Sequence, residues 1–290
     1  MPSVAGPDKP AAGLIPPPLR TVARTAWRDG ESALGTRDVP EETPVAFTYN
    51  RATHAVMLAS PSDLHDFAIG FSLTEAIVRH ADDIEALEVV PVGLGIELRM
   101  SLTGERLDAL TRRQRRLAGP SGCGLCGMDS LAEAVRTPPP VACGARFDGD
   151  AVAAAMAALP AAQQLNRHTR AVHAAAFWHP SDGMLAVRED VGRHNALDKL
   201  AGALARAGRA AGDGLLLLSS RVSVEMVQKA AMIGAPVIVA VSAPTALAIR
   251  VADAAGITLL AIARDDGFEV FTHPDRITHR ITLGHARHVA

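Results

Sequence analysis

A chain of 290 residues with 48% apolar side chains can bury one large core or two smaller ones, and is too apolar to be disordered throughout. A formal net charge of −2 and an aromatic content of 3% argue against nucleic-acid and membrane partners held by a global field, and against a ring platform on which successive bases stack. Three cysteines are too few for a disulfide framework, and their odd number fits a reducing, cytoplasmic setting.

The first twenty residues lack a basic region followed by an apolar run, and no segment reaches the ~20 apolar residues of a spanning helix. Residues 1–40, rich in Pro, Ala, Gly and Arg without helical or strand period, read as a flexible tail. Residues 41–117 then read as a small α+β unit. Runs at 45–50 and 54–59 predict paired strands, and Ser62 followed by Leu64, Phe67, Ala68, Phe71 and Leu73 predicts a capped amphipathic helix. Two more strands are expected at 84–90 and 96–102. A helix is expected at 105–117, with Leu107, Leu110 and Leu117 on one side and Arg112, Arg113, Arg115 and Arg116 around the other.

Residues 118–145 form a glycine-rich cysteine loop and linker broken by Pro138-Pro139-Pro140. From 146 to 290 the pattern changes to strands at 172–178, 184–188, 215–218, 237–241 and 257–263, interleaved with helices at 195–207, 222–233 and 245–255. Apolar strands alternating with helices imply an α/β fold, a layered sheet covered on both faces.

The sharpest chemical signal is Gly122-Cys123-Gly124-Leu125-Cys126-Gly127. A structural zinc needs four ligands and this pair supplies two, with no second pair in the chain. A thioredoxin-type dithiol belongs at a helix N-terminus, where Gly124 and Gly127 would each cost ~1 kcal/mol in a helix interior. A zinc deaminase needs a His-x-Glu or Cys-x-Glu, and none exists here. The pair suits a mobile, solvent-reachable thiol that is loaded as a persulfide, its neighbour at i+3 closing a disulfide as the sulfur departs. Glycines 119, 122, 124 and 127 make residues 119–128 a candidate moving arm. Cys143, between Ala142 and Gly144, reads as a small packed residue. The arginines at 112–116 read as a solvated helix face that could also guide an anionic ligand.

Ligands of open α/β sheets sit beyond the carboxyl ends of strands, and four such ends are polar here. They are Arg188 to Asn195, including Asp190 and His194; Ser219, Ser220 and Arg221; Ser242 and Thr245 flanking Pro244; and Arg264, Asp265, Asp266 and Gly267. Helix N-termini with Ser, Thr and Arg suit phosphate oxygens, and carboxylates suit the donor edge of guanine. No Gly-x-Gly-x-x-Gly opens a helix and no P-loop is present.

The cysteine loop, Glu189-Asp190-Val191-Gly192-Arg193-His194-Asn195-Ala196-Leu197-Asp198-Lys199, Ser219-Ser220-Arg221, Glu225-Met226-Val227-Gln228-Lys229 and Val241-Ser242-Ala243 together resemble the FdhD family of sulfur carriers for formate dehydrogenase, from about residue 42 to His273-Pro274. The resemblance implies a small N-terminal domain joined to a cytidine-deaminase-like α/β domain lacking catalytic zinc, usually as a homodimer. It implies transfer of sulfur from a cysteine desulfurase to the Mo-bis(molybdopterin guanine dinucleotide) cofactor before its insertion into formate dehydrogenase. Cys123 would carry the persulfide with Cys126 as partner, and Ile262, Ala263, Arg264, Asp265, Asp266 and Gly267 would contact the guanine nucleotide. Family members often carry Gly-Phe where this chain has Ala261-Ile262. A thiol oxidoreductase and a non-catalytic cofactor chaperone remain the alternatives.

Overall fold

A computed structural model describes residues 13–104, 106, 138–142 and 144–278. Apart from Arg106, the helix expected at 105–117 lies outside the described residues, as does the cysteine loop. The first elements are β1 (Leu19–Arg28) and β2 (Glu31–Pro40), an antiparallel hairpin in which Leu19 faces Pro40 and Arg28 faces Glu31. This overturns the expected structureless tail from Leu19 onward. The cause is legible at Asp29-Gly30, both with positive φ (52° and 83°), the backbone of a two-residue turn whose twist matches the flanking strands.

Strands β3 (Thr43–Tyr49), β4 (Ala52–Ala59), β5 (Ile84–Val92) and β6 (Gly95–Leu102) form a sheet ordered β4-β3-β6-β5, with β3 and β6 parallel. Alternation decides its faces. Ile96, Leu98, Met100 and Leu102 are buried, while Arg99 and Ser101 face out. Helix α1 (Leu64–Thr74) covers the inner face, where Phe47 stacks on Phe71 (4.0 Å between ring centroids) and meets Phe67 edge-on (4.9 Å). Asp63, not Ser62, stands at its N-cap, in left-handed backbone (φ 52°) and without a side-chain cap.

The second unit contains β7 (Phe147–Asp148), α2 (Gly149–Ala162), α3 (Gln164–Thr169), β8 (His173–His179), β9 (Gly183–Asp190), α4 (Arg193–Arg206), β10 (Leu215–Leu218), α5 (Val224–Met232), β11 (Val237–Ala240), α6 (Ala246–Ala254), β12 (Thr258–Arg264), β13 (Gly267–Val270) and β14 (Ile277–Thr278). Its sheet runs β13-β12-β11-β10-β8-β9, with β10, β11 and β12 parallel. Successive residues serve opposite faces. Leu216 and Leu218 pack with Leu197, Leu200, Met226 and Val251 under α4, α5 and α6, whereas Leu215 and Leu217 pack with Val152, Met156 and Leu159 of α2. Each fully buried leucine contributes about 1.5–3 kcal/mol. This is the layered α/β arrangement expected. Helix α2, mostly alanine, has no polar stripe to announce it in the sequence.

The two units form one body. Helix α1 lies against α4 so closely that a Cβ on Gly70 would collide with the Asp198 carbonyl, and one on Gly202 with the Asp66 carbonyl. Residues 138–142 already run along the α/β unit, where the Val141 amide donates to the Ala255 carbonyl (2.9 Å).

Candidate functional site

The register brings four strand ends to one edge. Leu218 pairs with both Ala175 and Ala240, Val239 with Leu260, and Asp190 with His173, so the loops after β9, β10, β11 and β12 are neighbours. Hydrogen bonds continue beyond the strands. The Val222 amide donates to Ala243 O (3.3 Å), Thr245 N to Val222 O (3.0 Å), and Ile262 N to Ser242 O (3.4 Å). Helices α4, α5 and α6 begin at this edge. Thr245 caps α6 by accepting from Ala248 N (3.2 Å), but Gly192 and Ser223 give α4 and α5 no side-chain cap. Uncapped first-turn amides at positive dipole ends are donors for anionic oxygens.

Around these amides the polar residues divide. Arg221, Arg264, Asp265, Asp266 and Gly267 are exposed, and Ser242 is half-buried. Ser219 faces the same edge, but its Oγ accepts from Ala174 N (2.7 Å). Ile262 adopts φ +53° at a bulge between Ala261 and Arg264, an outlier for a β-branched residue that stores local strain. Ala261 and Ile262 consequently both pack toward α4–α6, and Ala263 returns to the opposite face.

His194 Nε2 lies 2.9 Å from Glu225 Oε2, within hydrogen-bond reach, and Ser223 Oγ donates to the same carboxylate (3.3 Å). The hydrogen bond from His194 outweighs partial burial and holds the Glu225 carboxyl below its ordinary range. His173, beside this pair, is pushed down by burial and by the Arg193 charge. Sequence pattern singled out His194 but not His173 or Ser223, whose proximity arises from pairing between strands.

Asp190 departs from its expected place at the ligand edge. It is fully buried (0% exposed) and bound to Lys199 Nζ (2.6 Å), Ser60 N (2.9 Å), Gly192 N (2.8 Å) and Asn195 Nδ2 (2.9 Å). Its oxygens are already satisfied, so it shapes the turn into α4 and does not face a ligand. The same holds for its motif neighbours. Glu189 accepts from Leu165 N (2.7 Å) and Asn166 N (2.8 Å) at the start of α3. Asp198 holds Thr74 Oγ1 (2.6 Å) and Lys229 Nζ (2.9 Å), and Lys229 also reaches Glu75 (2.6 Å). Burial alone would lower the Lys229 pKa, but Asp198 and Glu75 more than offset it and keep the ammonium charged above its ordinary range.

A cleft lined by Pro61, Asp63, Asp66, Arg188 and Arg206 opens between the units. Asp66 accepts from both Arg188 (2.6 Å) and Arg206 (2.6 Å), and Asp63 lies 3.5 Å from Arg188, so two carboxylates face the two cations within the cleft. Cys123, Cys126 and Cys143, the arm at 119–128 and the arginines at 112–116 lie outside the described residues.

A mixed sheet with helices on both faces, uncapped helix N-termini and exposed arginines at its parallel-strand edge defines an α/β protein. The chain belongs to the FdhD/NarQ family, whose model matches residues 40–278. It is 57% identical over 259 residues to the sulfur carrier protein FdhD of Agrobacterium fabrum, covering 89% of this chain and 96% of that protein. It is 50% identical over 275 residues to the sulfur carrier protein FdhD of Cupriavidus necator, covering 94% and 95%. Its fold is shared with a crystal structure from Desulfotalea psychrophila assigned as a formate dehydrogenase accessory protein (TM-score 0.71, 23% identity, 90% of this chain and 100% of that one).

Proposed function

We propose that this chain is a sulfur carrier required for formate dehydrogenase activity and acts as a cytoplasmic, homodimeric sulfurtransferase. A cysteine desulfurase supplies sulfur to Cys123 as a persulfide, and the acceptor is Mo-bis(molybdopterin guanine dinucleotide), bound before its insertion into formate dehydrogenase. The observation that carries this reading is the strand-end edge, where the uncapped amides of α4 and α5 lie with exposed Arg221 and Arg264. Phosphates of the guanine dinucleotide suit the amides and arginines, and Asp265 and Asp266 can accept from the guanine N–H edge.

Release is a thiol–disulfide exchange. The Cys126 thiolate attacks the Cys123 Sγ, the Sγ–S bond breaks, and the terminal sulfur leaves with the electron pair as hydrosulfide, taking one proton. The two cysteines are left as a disulfide, which a cellular thiol reductant must reopen before the next cycle.

The test is intact mass after incubation with a cysteine desulfurase and cysteine. The wild-type chain should gain one sulfur, removable by dithiothreitol, and Cys123→Ala should gain none. Full retention by that variant would move the carrier elsewhere. Support of formate dehydrogenase by a chain lacking both Cys123 and Cys126 would make the protein a cofactor chaperone instead.

A further inference from the structure

The functional reading places the ligand on the α/β unit, yet the turn that opens α4 is held from the other unit by a single residue. Ser60, between β4 and α1 and 130 residues before Asp190 in the chain, is fully buried (0% exposed). Three of its atoms bond to this part of the α/β unit. Its amide donates to Asp190 Oδ2 (2.9 Å), its Oγ accepts from the Val191 amide (3.2 Å), and its carbonyl accepts from Lys199 Nζ (2.8 Å). Two residues earlier, the Leu58 carbonyl accepts from Asn195 Nδ2 (2.8 Å).

These ties converge where the chain passes from strand to helix. Asp190 ends β9, and its Oδ1 accepts from the Gly192 amide (2.8 Å) and from Asn195 Nδ2 (2.9 Å), so one carboxylate spans the turn. Gly192 is fitted closely, since a Cβ there would stand 2.8 Å from Asn195 Nδ2. The turn leads directly into donors. Arg193 follows, its Nε enclosed without an acceptor among the described residues, then His194 within reach of Glu225, and the first turn of α4 has no side-chain cap. Such donors hold an oxyanion only when correctly aimed, because a hydrogen bond weakens steeply as its angle departs from linear.

We infer that Ser60 is a positioning residue for the anion-binding end of α4, its hydroxyl fixing the turn at Asp190 to Gly192 and thereby the direction in which Arg193 and the first-turn amides meet a phosphate oxygen. This inference rests on the reading of the strand-end edge as a nucleotide site and names the residue that shapes it. The hydroxyl is the part that requires serine. Other residue types also present an amide and a carbonyl here, whereas the Oγ is the acceptor for Val191, the residue between the carboxylate and the glycine. Ser60 is sealed from solvent, so this bond is not shared with bulk water. The hydroxyl carries no charge, and its removal acts on the edge through geometry alone.

The test compares two buried serines of the same unit in the full chain. Ser60→Ala removes the tie to Val191, and Ser72→Ala removes a hydroxyl bonded within its own unit to Tyr49 Oη (2.7 Å) and the Ala68 carbonyl (2.7 Å). With GDP as the probe, at a temperature where all three chains are folded, calorimetry should show Ser60→Ala binding about 3- to 10-fold more weakly and Ser72→Ala binding like the wild type. Amide exchange at Gly192 should quicken in Ser60→Ala and not in Ser72→Ala, a split that a general loss of stability would not produce. Should Ser60→Ala fail to fold, Asn195→Ala cuts the Leu58 tie to the same turn and should weaken GDP binding against the same control. A folded Ser60→Ala chain that binds GDP like the wild type, or equal weakening in both serine variants, would overturn the positioning role alone. A wild-type chain that binds no GDP would overturn the nucleotide reading of the edge, while exchange at Gly192 still reports whether Ser60 holds the turn.

Discussion

Gly70 of α1 and Gly202 of α4 are a reciprocal close contact, each standing where a Cβ would strike the backbone of the opposite helix, at Asp198 and Asp66 respectively. Helix backbones that approach so closely leave no flexible side chain to give way. Gly70→Ala or Gly202→Ala should therefore destabilise the protein by about 1–3 kcal/mol or more through overpacking, despite the better helix propensity of alanine. Urea unfolding midpoints equal to the wild type would show that the helices can separate freely.

The Asp198–Lys229 pair (2.9 Å) joins α4 and α5 beneath Thr74 of α1. Lys229→Met would leave Asp198 buried without its countercharge and should cost about 3–5 kcal/mol. The lysine also sets an alkaline limit. Its folded pKa is raised above the ordinary 10.5, so its contribution is complete below that value and is lost as pH rises through the folded pKa. Thermal unfolding followed from neutral to strongly alkaline pH should show this loss in the wild type and not in Lys229→Met.

Binding and folding should separate at the strand-end edge. Arg221→Ala and Arg264→Ala remove exposed cations and should each weaken GDP binding by about 1.5–3 kcal/mol with stability nearly unchanged. Asp190→Asn removes the charge facing buried Lys199 (2.6 Å) and should show its main loss in stability. Calorimetry in which both arginine variants bind like the wild type would send the nucleotide to another surface.

The glycines of residues 119–128 make a further prediction from their chemistry alone. In the proposed function one thiol would meet a protein donor in the open and then approach a bound cofactor, and glycine at 122 and 124 is the residue type that would permit both. Replacing them with alanine should slow delivery more than loading by the desulfurase. Stopped-flow rates unaffected in both steps would remove the moving arm from the mechanism.

Much of this was legible in the linear chain because it depends on local rules. Alternation at Ile96, Leu98, Met100 and Leu102 reports the buried face of β6, a four-residue leucine run reports β10, and the glycine-bounded Cys123/Cys126 pair is a motif whatever surrounds it. The Asp29-Gly30 turn was equally local and announces the hairpin, although the composition of residues 1–40 suggests a tail. Tertiary structure alone decided what the polar motif residues do. Asp190 and Asn195 read as part of a polar strand end, yet they, with Asp198 and Lys199 of the following helix, are buried against Ser60, Leu58 and Thr74 of the other unit, while nearby His194 stays at the edge with Glu225. Whether a carboxylate receives a ligand or an internal lysine is set by which distant segment packs over it. That choice belongs to burial and hydrogen-bond satisfaction across the whole fold, as does the meeting of Gly70 with Gly202, and no spacing along the chain encodes it.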